Sequence, residues 1–260
     1  MPLVATRESD GTPIESFDVP AETWAEWRRL PLGHFRLGVD AWPAVLKRSP
    51  RGLQFFAHAP GYPGTTEPET IQHQLTKIGL VRGFRAAGVP VRLEATGQTP
   101  DGSAWQADVL ATLGGRDTAL EVQWSYQHWD DYIARTHRYA QSDVDCVWVA
   151  KTSQRNAHMT HRLKYWMQTG LPHDRATMNR GLFEMPVVWL EANATPLSPD
   201  DLRIVALIKP QGGVWLTPFQ FALGLAKGAF HYGPNDMDFW DWRYDVGLAG
   251  IVPAGALRAA

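Results

Sequence analysis

Two adjacent glycines near the middle of the chain restrict its fold more than any other feature. Gly114-Gly115 separates the runs Gln106-Ala107-Asp108-Val109-Leu110-Ala111 and Ala119-Leu120-Glu121-Val122-Gln123-Trp124, both of strand character. Paired glycines accept the positive φ values that a two-residue hairpin turn demands. With these two as the turn, Leu113 pairs with Arg116, and counting back along both strands sets Asp108 opposite Glu121. Directly opposed Cβ atoms lie about 4.5–5.5 Å apart, where two like charges destabilise the pair unless a cation binds between them. The two-residue period of a strand puts Glu121 and Gln123 on one face and Leu120, Val122 and Trp124 on the other. The spacing therefore predicts two carboxylates and an amide gathered on one face. Such an oxygen set suits a hard ion, Mg2+ or Mn2+. An ordinary half-exposed hairpin with scattered polar residues is the plainer reading of the same pattern.

The elements around the hairpin predict a sheet with helices on it. Thr66 is a fair N-cap, with Pro68 in the first turn and Glu69 at the capping-box position, so a helix opens there. Ile71, Leu75 and Ile78 give it an apolar stripe, and Gly88 with Pro90 closes it. Residues 91–95 read as a strand and 98–102 as a turn. Trp129, Ile133 and Ala140 suggest a helix over about 126–141, and 144–150 is a buried strand in which Cys146 acts as a small apolar residue. Helix, three strands, helix, strand argues an α/β sandwich around a mixed sheet. Ahead of it, residues 22–27 suggest a short helix, and the prolines and glycines from Pro43 to Gly64 suggest short strands and loops. After residue 151 a helix is expected to about Thr169, followed by apolar runs at 186–190, 204–208 and 214–216 and a helix at 219–227.

Composition narrows the function classes. A net charge of -2 over 260 residues gives no global polyanion-binding field, so any nucleic-acid surface is local. One candidate lies between Asp145 and Asp174, a stretch without acidic residues that holds Lys151, Arg155, Arg162, Lys164, His158, His161 and His173. Tyr165 and Trp166 beside it suit base stacking. Nothing approaches 18 consecutive apolar residues, which argues against a membrane span. Met1 to Pro20 carries no secretory pattern, so a cytoplasmic protein is expected. The single cysteine excludes a disulfide framework and a cysteine-rich zinc site. Asp236, Asp238, Asp241 and Asp245, interleaved with Phe239, Trp240 and Trp242, read as a surface turn with aromatic packing.

Two helical spacings add candidates. Glu69, His73 and Lys77 are four residues apart in series and share a helix face, as do Arg135 and Tyr139. With Phe56-Ala57-His58 ahead of the helix, Ala107-Asp108-Val109 and Glu121-Val122-Gln123 on the hairpin, Arg135-Thr136 after it and Val147-Trp148-Val149 closing, the chain resembles the PD-(D/E)XK nucleases. More specifically it is similar to the competence protein CoiA-like nucleases, over about Ala44 to Ala150. The resemblance implies a restriction-endonuclease-like αβββαβ core with a mixed sheet and terminal extensions. It divides the chain into a β-rich extension (1–57), a nuclease core (58–170) and an α/β extension (171–260). It assigns Asp108, Glu121 and Glu69 to a Mg2+ or Mn2+ ion, with Gln123 and Lys77 beside them. It directs His73, Arg135 and Tyr139 to DNA, and the acid-free stretch adds Lys151, Arg155, Arg162 and Lys164 as backbone contacts. Three departures stand out: there are no N-terminal zinc cysteines, Ala107 replaces the usual proline, and Gln123 replaces the lysine that names the fold.

Lys77 is the cation placed to supply that missing charge. The implied activity is metal-dependent deoxyribonuclease action in DNA uptake, recombination or defence. One alternative is a catalytically weak or inactive DNA-binding module on the same fold. Another is an oligomeric interaction protein whose tryptophan-rich ends bind a partner, and homo-oligomerisation is left open in every case.

Overall fold

The proline-punctuated opening of the chain folds into a small antiparallel sheet. The computed structural model describes residues 2–64, 69–125, 127, 129–151, 186–192, 195–208, 212–234, 240–244 and 257–258. Two units emerge, Met1–Thr70 and Ile71–Ala260. In the first, β1 (Val4–Arg7), β2 (Pro13–Glu15), α1 (Ala21–Trp27), β3 (Phe35–Leu37), β4 (Trp42–Arg48) and β5 (Gln54–His58) follow in sequence. The strands lie in the order β2-β1-β3-β4-β5. Alternate residues Phe35 and Leu37, and Ala44 and Leu46, point into one core with Trp24 and Phe56. The Trp24 and Phe56 rings meet edge-on at 5.0 Å, and burying a side chain such as Phe56 stabilises by about 1.5–3 kcal/mol.

The second unit opens with α2 (Ile71–Ala86), β6 (Val91–Gln98), β7 (Ala104–Leu113), β8 (Arg116–Gln123), α3 (Trp129–Gln141) and β9 (Asp145–Lys151). This is the αβββαβ order of a restriction-endonuclease-like core. It continues through β10 (Val187–Ala192), β11 (Leu202–Ile208), β12 (Gly212–Leu216), α4 (Pro218–Ala226), β13 (Phe230–Pro234), β14 (Trp240–Tyr244) and β15 (Leu257–Arg258). The sheet runs β13-β14-β11-β10-β9-β8-β7-β6, with β12 paired to β11 and β15 paired to β12. It is mixed: β6, β7 and β8 are antiparallel, β8, β9 and β10 parallel, and β11 antiparallel to β10. Cys146 is buried in the parallel part, where helices cover both faces and continuous apolar runs are expected.

The glycine turn forms as the sequence predicts. Gly114 and Gly115 adopt φ of 57° and 85°, and Leu113 pairs with Arg116. The ladder runs in register back to Val109 opposite Leu120, so Asp108 and Glu121 occupy the next opposed positions. There the strand alternation breaks. Trp105 packs on Tyr139 of α3 at 5.2 Å, and Ala107 and Leu110 both join the cluster beneath α3. Residues 107 and 110 cannot share a face of a regular strand, so β7 is irregular between them. Asp108 consequently turns towards α2 while Glu121 points to α3, and the expectation of both carboxylates and Gln123 on one face is corrected.

Helix α2 begins at Ile71, so Glu69 precedes the helix instead of lying in its first turn. Thr66, its expected cap, lies outside the described residues. The helix is also buried well beyond the Ile71-Leu75-Ile78 stripe, taking in Gln74, Thr76, Lys77, Leu80, Val81 and Phe84. Lys77 is buried on the sheet side, beside Glu94 and Asp108, and the face with Gly79 and Gly83 is covered by α4, from the part of the chain that sequence pattern could not position. A Cβ on Gly83 would fall 2.3 Å from the Phe219 carbonyl oxygen, and one on Gly79 would fall 2.8 Å from Pro218 Cβ. Only glycines let the two helices approach so closely. The α4 start is fixed by a capping box, in which Thr217 Oγ1 accepts from Gln220 N at 3.2 Å and Gln220 Oε1 accepts from Thr217 N at 2.9 Å. Among the described residues no helix is long and apolar enough to cross a membrane.

Candidate functional site

The first turns of α2 bring His73 and Lys77 over β7. His73 Nε2 lies 3.1 Å from Asp108 Oδ2, and Lys77 Nζ lies 3.7 Å from Asp108 Oδ1. The Val122 backbone N–H donates to Asp108 Oδ2 at 2.8 Å, which ties the carboxylate to the neighbouring strand. Burial acts to raise the Asp108 pKa, but His73, Lys77 and the Val122 N–H together overcome it and hold the carboxyl well below its ordinary range. Asp108 is thus a firmly ionised acceptor.

Lys77 is fully buried, and its ammonium donates to Glu94 Oε1 at 2.8 Å. A buried lone ammonium costs several kcal/mol, so two carboxylates beside it are what make the position tenable. Glu94 holds a left-handed backbone, φ 51°, in the middle of β6. Such a conformation costs a non-glycine residue on the order of 1–3 kcal/mol and clusters at functional sites.

Glu69, His73 and Asp108 form a cluster in which one ligand atom from each lies within 4.8 Å of the others. Two carboxylates and an imidazole are a donor set that divalent ions accept. The nitrogen shifts preference from Mg2+ towards Mn2+ and softer ions, relative to the all-oxygen set expected from the hairpin.

Glu121 stands apart from this cluster. It is 1% exposed, and both carboxylate oxygens are held by α3: Tyr139 Oη donates to Oε1 and Arg135 Nη2 to Oε2. Burial and the nearby Asp108 charge push its pKa up to about 7, against the pull of Arg135 and Tyr139. Arg135 stays cationic: burial opposes the charge, but the Glu121 and Asp108 carboxylates outweigh it. Its guanidinium also lies over the Trp148 ring, 5.0 Å from the centroid. Tyr139 is buried, and the Gln106 carbonyl oxygen, 3.0 Å from its hydroxyl, is a second acceptor within reach of the same proton. The helical spacing puts Arg135 and Tyr139 on one face, as expected, yet the fold turns that face inward to Glu121 and not outward to a phosphate.

The remaining candidates are dispersed. Gln123 Nε2 donates to the Ser125 carbonyl at 2.9 Å and so serves its own turn. Lys151 Nζ sits 4.5 Å from the centroid of the Trp124 ring, at the ends of β9 and β8. His58 belongs to the first unit, stacked on Tyr62 at 3.8 Å. Arg155, Arg162 and Lys164, with the histidines and aromatic residues around them, lie outside the described residues, as do Asp236, Asp238 and Asp245. Sequence reasoning missed two things: Glu94, and the place of His73 among the ligand-capable groups. The signal for Glu94 was the lone acidic residue of its strand, between the apolar Leu93 and Ala95. The loop before β7 runs from Thr99 to Ser103, closed by a Thr99 N–H to Ser103 carbonyl bond of 3.0 Å. Residue types alone do not set that length, so the register of Glu94 against Asp108 was not readable.

An αβββαβ sheet with an acidic residue at the break of its second core strand and Glu-x-Gln on the third defines a nuclease-like protein of the restriction-endonuclease class. Residues 69–179 match the family model of the competence protein CoiA, nuclease-like domain. No curated protein matches the chain. The crystal structure of the protein of unknown function AF1548 aligns at 16% identity with a TM-score of 0.25, over 34% of this chain and 54% of that one, about half its length.

Proposed function

We propose that this protein is a divalent-metal-dependent nuclease that hydrolyses phosphodiester bonds in DNA, in a cytoplasmic setting of DNA uptake, recombination or defence. The observation that carries the reading is the convergence of Glu69, His73 and Asp108 within 4.8 Å, inside a matched nuclease-like segment. Mn2+ or Mg2+ held there would polarise a scissile phosphate and lower the pKa of a water. Asp108 is suited to hold the ion because it is ionised at any working pH. His73, assigned by the resemblance to DNA, is better matched to the ligand set. Lys77, buried beside Asp108, would add a fixed positive charge to the field behind the ion site, in the role vacated by the lysine that Gln123 replaces. Glu121, assigned by the resemblance to the metal, has a second role open to it, since its contacts fasten α3 to the sheet. Gln123 is retained as a water- or phosphate-orienting group and Lys151, Arg155, Arg162 and Lys164 as backbone contacts.

The test is incubation of the purified protein with supercoiled and linear DNA in the presence of Mn2+ or Mg2+, alongside Asp108→Ala. Metal-dependent cleavage that Asp108→Ala abolishes is the expected result. DNA retention without cleavage, identical in both proteins, would instead favour a non-catalytic DNA-binding module, the reading that Gln123 in place of lysine recommends.

A further inference from the structure

The established resemblance leaves one strained residue unexplained. Among the described residues three non-glycines have positive φ: Ala41, Glu94 and Asp143. Ala41 sits in a turn and Asp143 just past the end of α3, where left-handed backbone is commonplace. Glu94 lies in the middle of an eight-residue strand. Its neighbours pair regularly, Leu93 with Val109 and Ala95 with Ala107, so Glu94 is the residue facing Asp108. The break in alternation that turns Asp108 to α2 is therefore matched on β6 by the left-handed kink at Glu94. Both irregularities point at the same atom. Lys77 Nζ is 2.8 Å from Glu94 Oε1 and 3.7 Å from Asp108 Oδ1, with no exposed side-chain surface.

We infer that Glu94 is a positioning residue, kept in a strained strand conformation in order to fix the Lys77 ammonium beside Asp108. A lysine has four rotatable side-chain bonds and a compact, strongly hydrated charge. Without the Glu94 carboxylate, the head group would lose its shortest contact, since Asp108 Oδ1 lies 3.7 Å away. The shorter bond to Glu94 restricts those rotations, so the ammonium is held in place before any phosphate arrives. A strand residue with ordinary β backbone would send its side chain along the regular pleat, which is the role the kink replaces. Glu94 touches neither substrate nor ion in this account. It acts through Lys77.

The inference rests on the nuclease reading for its catalytic consequence, and the test separates the two. Full-length wild type, Glu94→Gln, Glu94→Gly, Lys77→Met and the Glu94→Gln/Lys77→Met double variant are compared in three measurements: manganese-dependent DNA cleavage, calorimetric titration with Mn2+, and reductive methylation of Lys77 read by peptide mass spectrometry. Glu94→Gln is expected to lower kcat by at least about tenfold with KM and manganese affinity within about twofold of wild type. It should add nothing to Lys77→Met, as expected of two residues acting as one unit. Lys77 should be refractory to methylation in wild type and become modified in Glu94→Gln. Glu94→Gly accepts the left-handed backbone without strain but leaves the buried Lys77 ammonium without its nearer carboxylate, so it should lose stability in part and lose cleavage; folding is checked by circular dichroism before either variant is scored. Unchanged kcat in both Glu94 variants, or losses that multiply in the double variant, overturns the inference. Should wild type fail to cleave at all, the nuclease reading falls on its own. The methylation of Lys77 then decides: release in Glu94→Gln and Glu94→Gly upholds the positioning role, and no release ends it.

Discussion

Asp108 and Glu121 oppose each other by hairpin register, yet each carboxylate is held by a different helix: Asp108 by His73 and Lys77 of α2, Glu121 by Arg135 and Tyr139 of α3. The two charges are still close enough to push the Glu121 pKa upward. The like-charge conflict implied by the pairing is thus met with protein cations on both sides of the sheet. Four consequences can be measured.

Asp108→Asn should separate charge from architecture. The amide oxygen can still accept the Val122 N–H now bound at 2.8 Å, and Lys77 keeps Glu94, so the fold should survive with its unfolding temperature lowered by a few degrees at most. Manganese affinity, read by calorimetry, should fall by at least about tenfold, in line with loss of a directly ligating carboxylate. Undiminished affinity would remove Asp108 from the proposed ion site.

The metal-free protein should lose stability as pH rises towards neutrality. Glu121 is raised from 4.5 to about 7, first by burial and then by Asp108. Its protonated form is favoured on folding, so its contribution is complete below about pH 4.5 and lost as pH rises through about 7. Asp108 has the opposite sign: lowered from 3.8, it contributes above that pH and loses its contribution as the solution becomes more acidic. Stability in urea should therefore peak near pH 4–5 and decline by on the order of 3 kcal/mol by pH 8. Glu121→Gln should flatten the decline, because the amide does not ionise, although its NH2 group replaces one of the two acceptor oxygens and lowers stability at every pH. A wild-type profile flat from pH 5 to 8 would contradict the assignment.

Gly83→Ala is expected to destabilise despite the better helix propensity of alanine. Propensity favours the change by about 1 kcal/mol. The new Cβ would meet the Phe219 carbonyl oxygen at 2.3 Å and Ala222 Cβ at 2.8 Å, and backbone cannot swing aside as a flexible side chain can. Overpacking of this kind costs about 1–3 kcal/mol, so a net loss of stability should appear in denaturant titration. A gain would mean that α4 does not pack on α2 so closely.

Lys151→Ala should weaken DNA binding and reduce the salt dependence of the affinity by about one ion's worth of slope. Its ammonium now rests on the Trp124 ring at 4.5 Å, and Trp124→Ala should cost affinity without changing that slope, as expected of a stacking contact. Fluorescence anisotropy at several salt concentrations distinguishes the two. An unchanged slope for Lys151→Ala would exclude a phosphate contact there.

Much of the core was legible in the chain because its signals are local. The Gly114-Gly115 turn follows from two consecutive residues that tolerate positive φ, and register then follows by counting. The apolar run around Cys146 marks a strand buried on both faces, and the Trp129–Gln141 helix shows in its period. The αβββαβ order is the sum of such local patterns. The helix expected at 219–227 is of the same kind, although its pattern by itself says nothing about what it packs against.

What the sequence by itself determined, then, is the element order, the hairpin register and the identity of the acidic, imidazole and ammonium groups near it. The tertiary structure alone decided which way those groups face. A regular strand would have put Asp108 and Glu121 side by side on one face; the coupled break at Glu94 and Asp108 separates them, and it arises between strands joined by a loop whose length no residue type fixes. Likewise, helical spacing put His73 and Lys77 on one face of α2 without saying what that face meets. In the fold it meets Asp108 of β7 and Glu94 of β6, and Lys77 is buried there, while α4, contributed from far along the chain, closes on Gly79 and Gly83. Strand periodicity and helix spacing act over a few residues. Strain at one backbone position and the close approach of distant helices are settled only when every element competes for the same space.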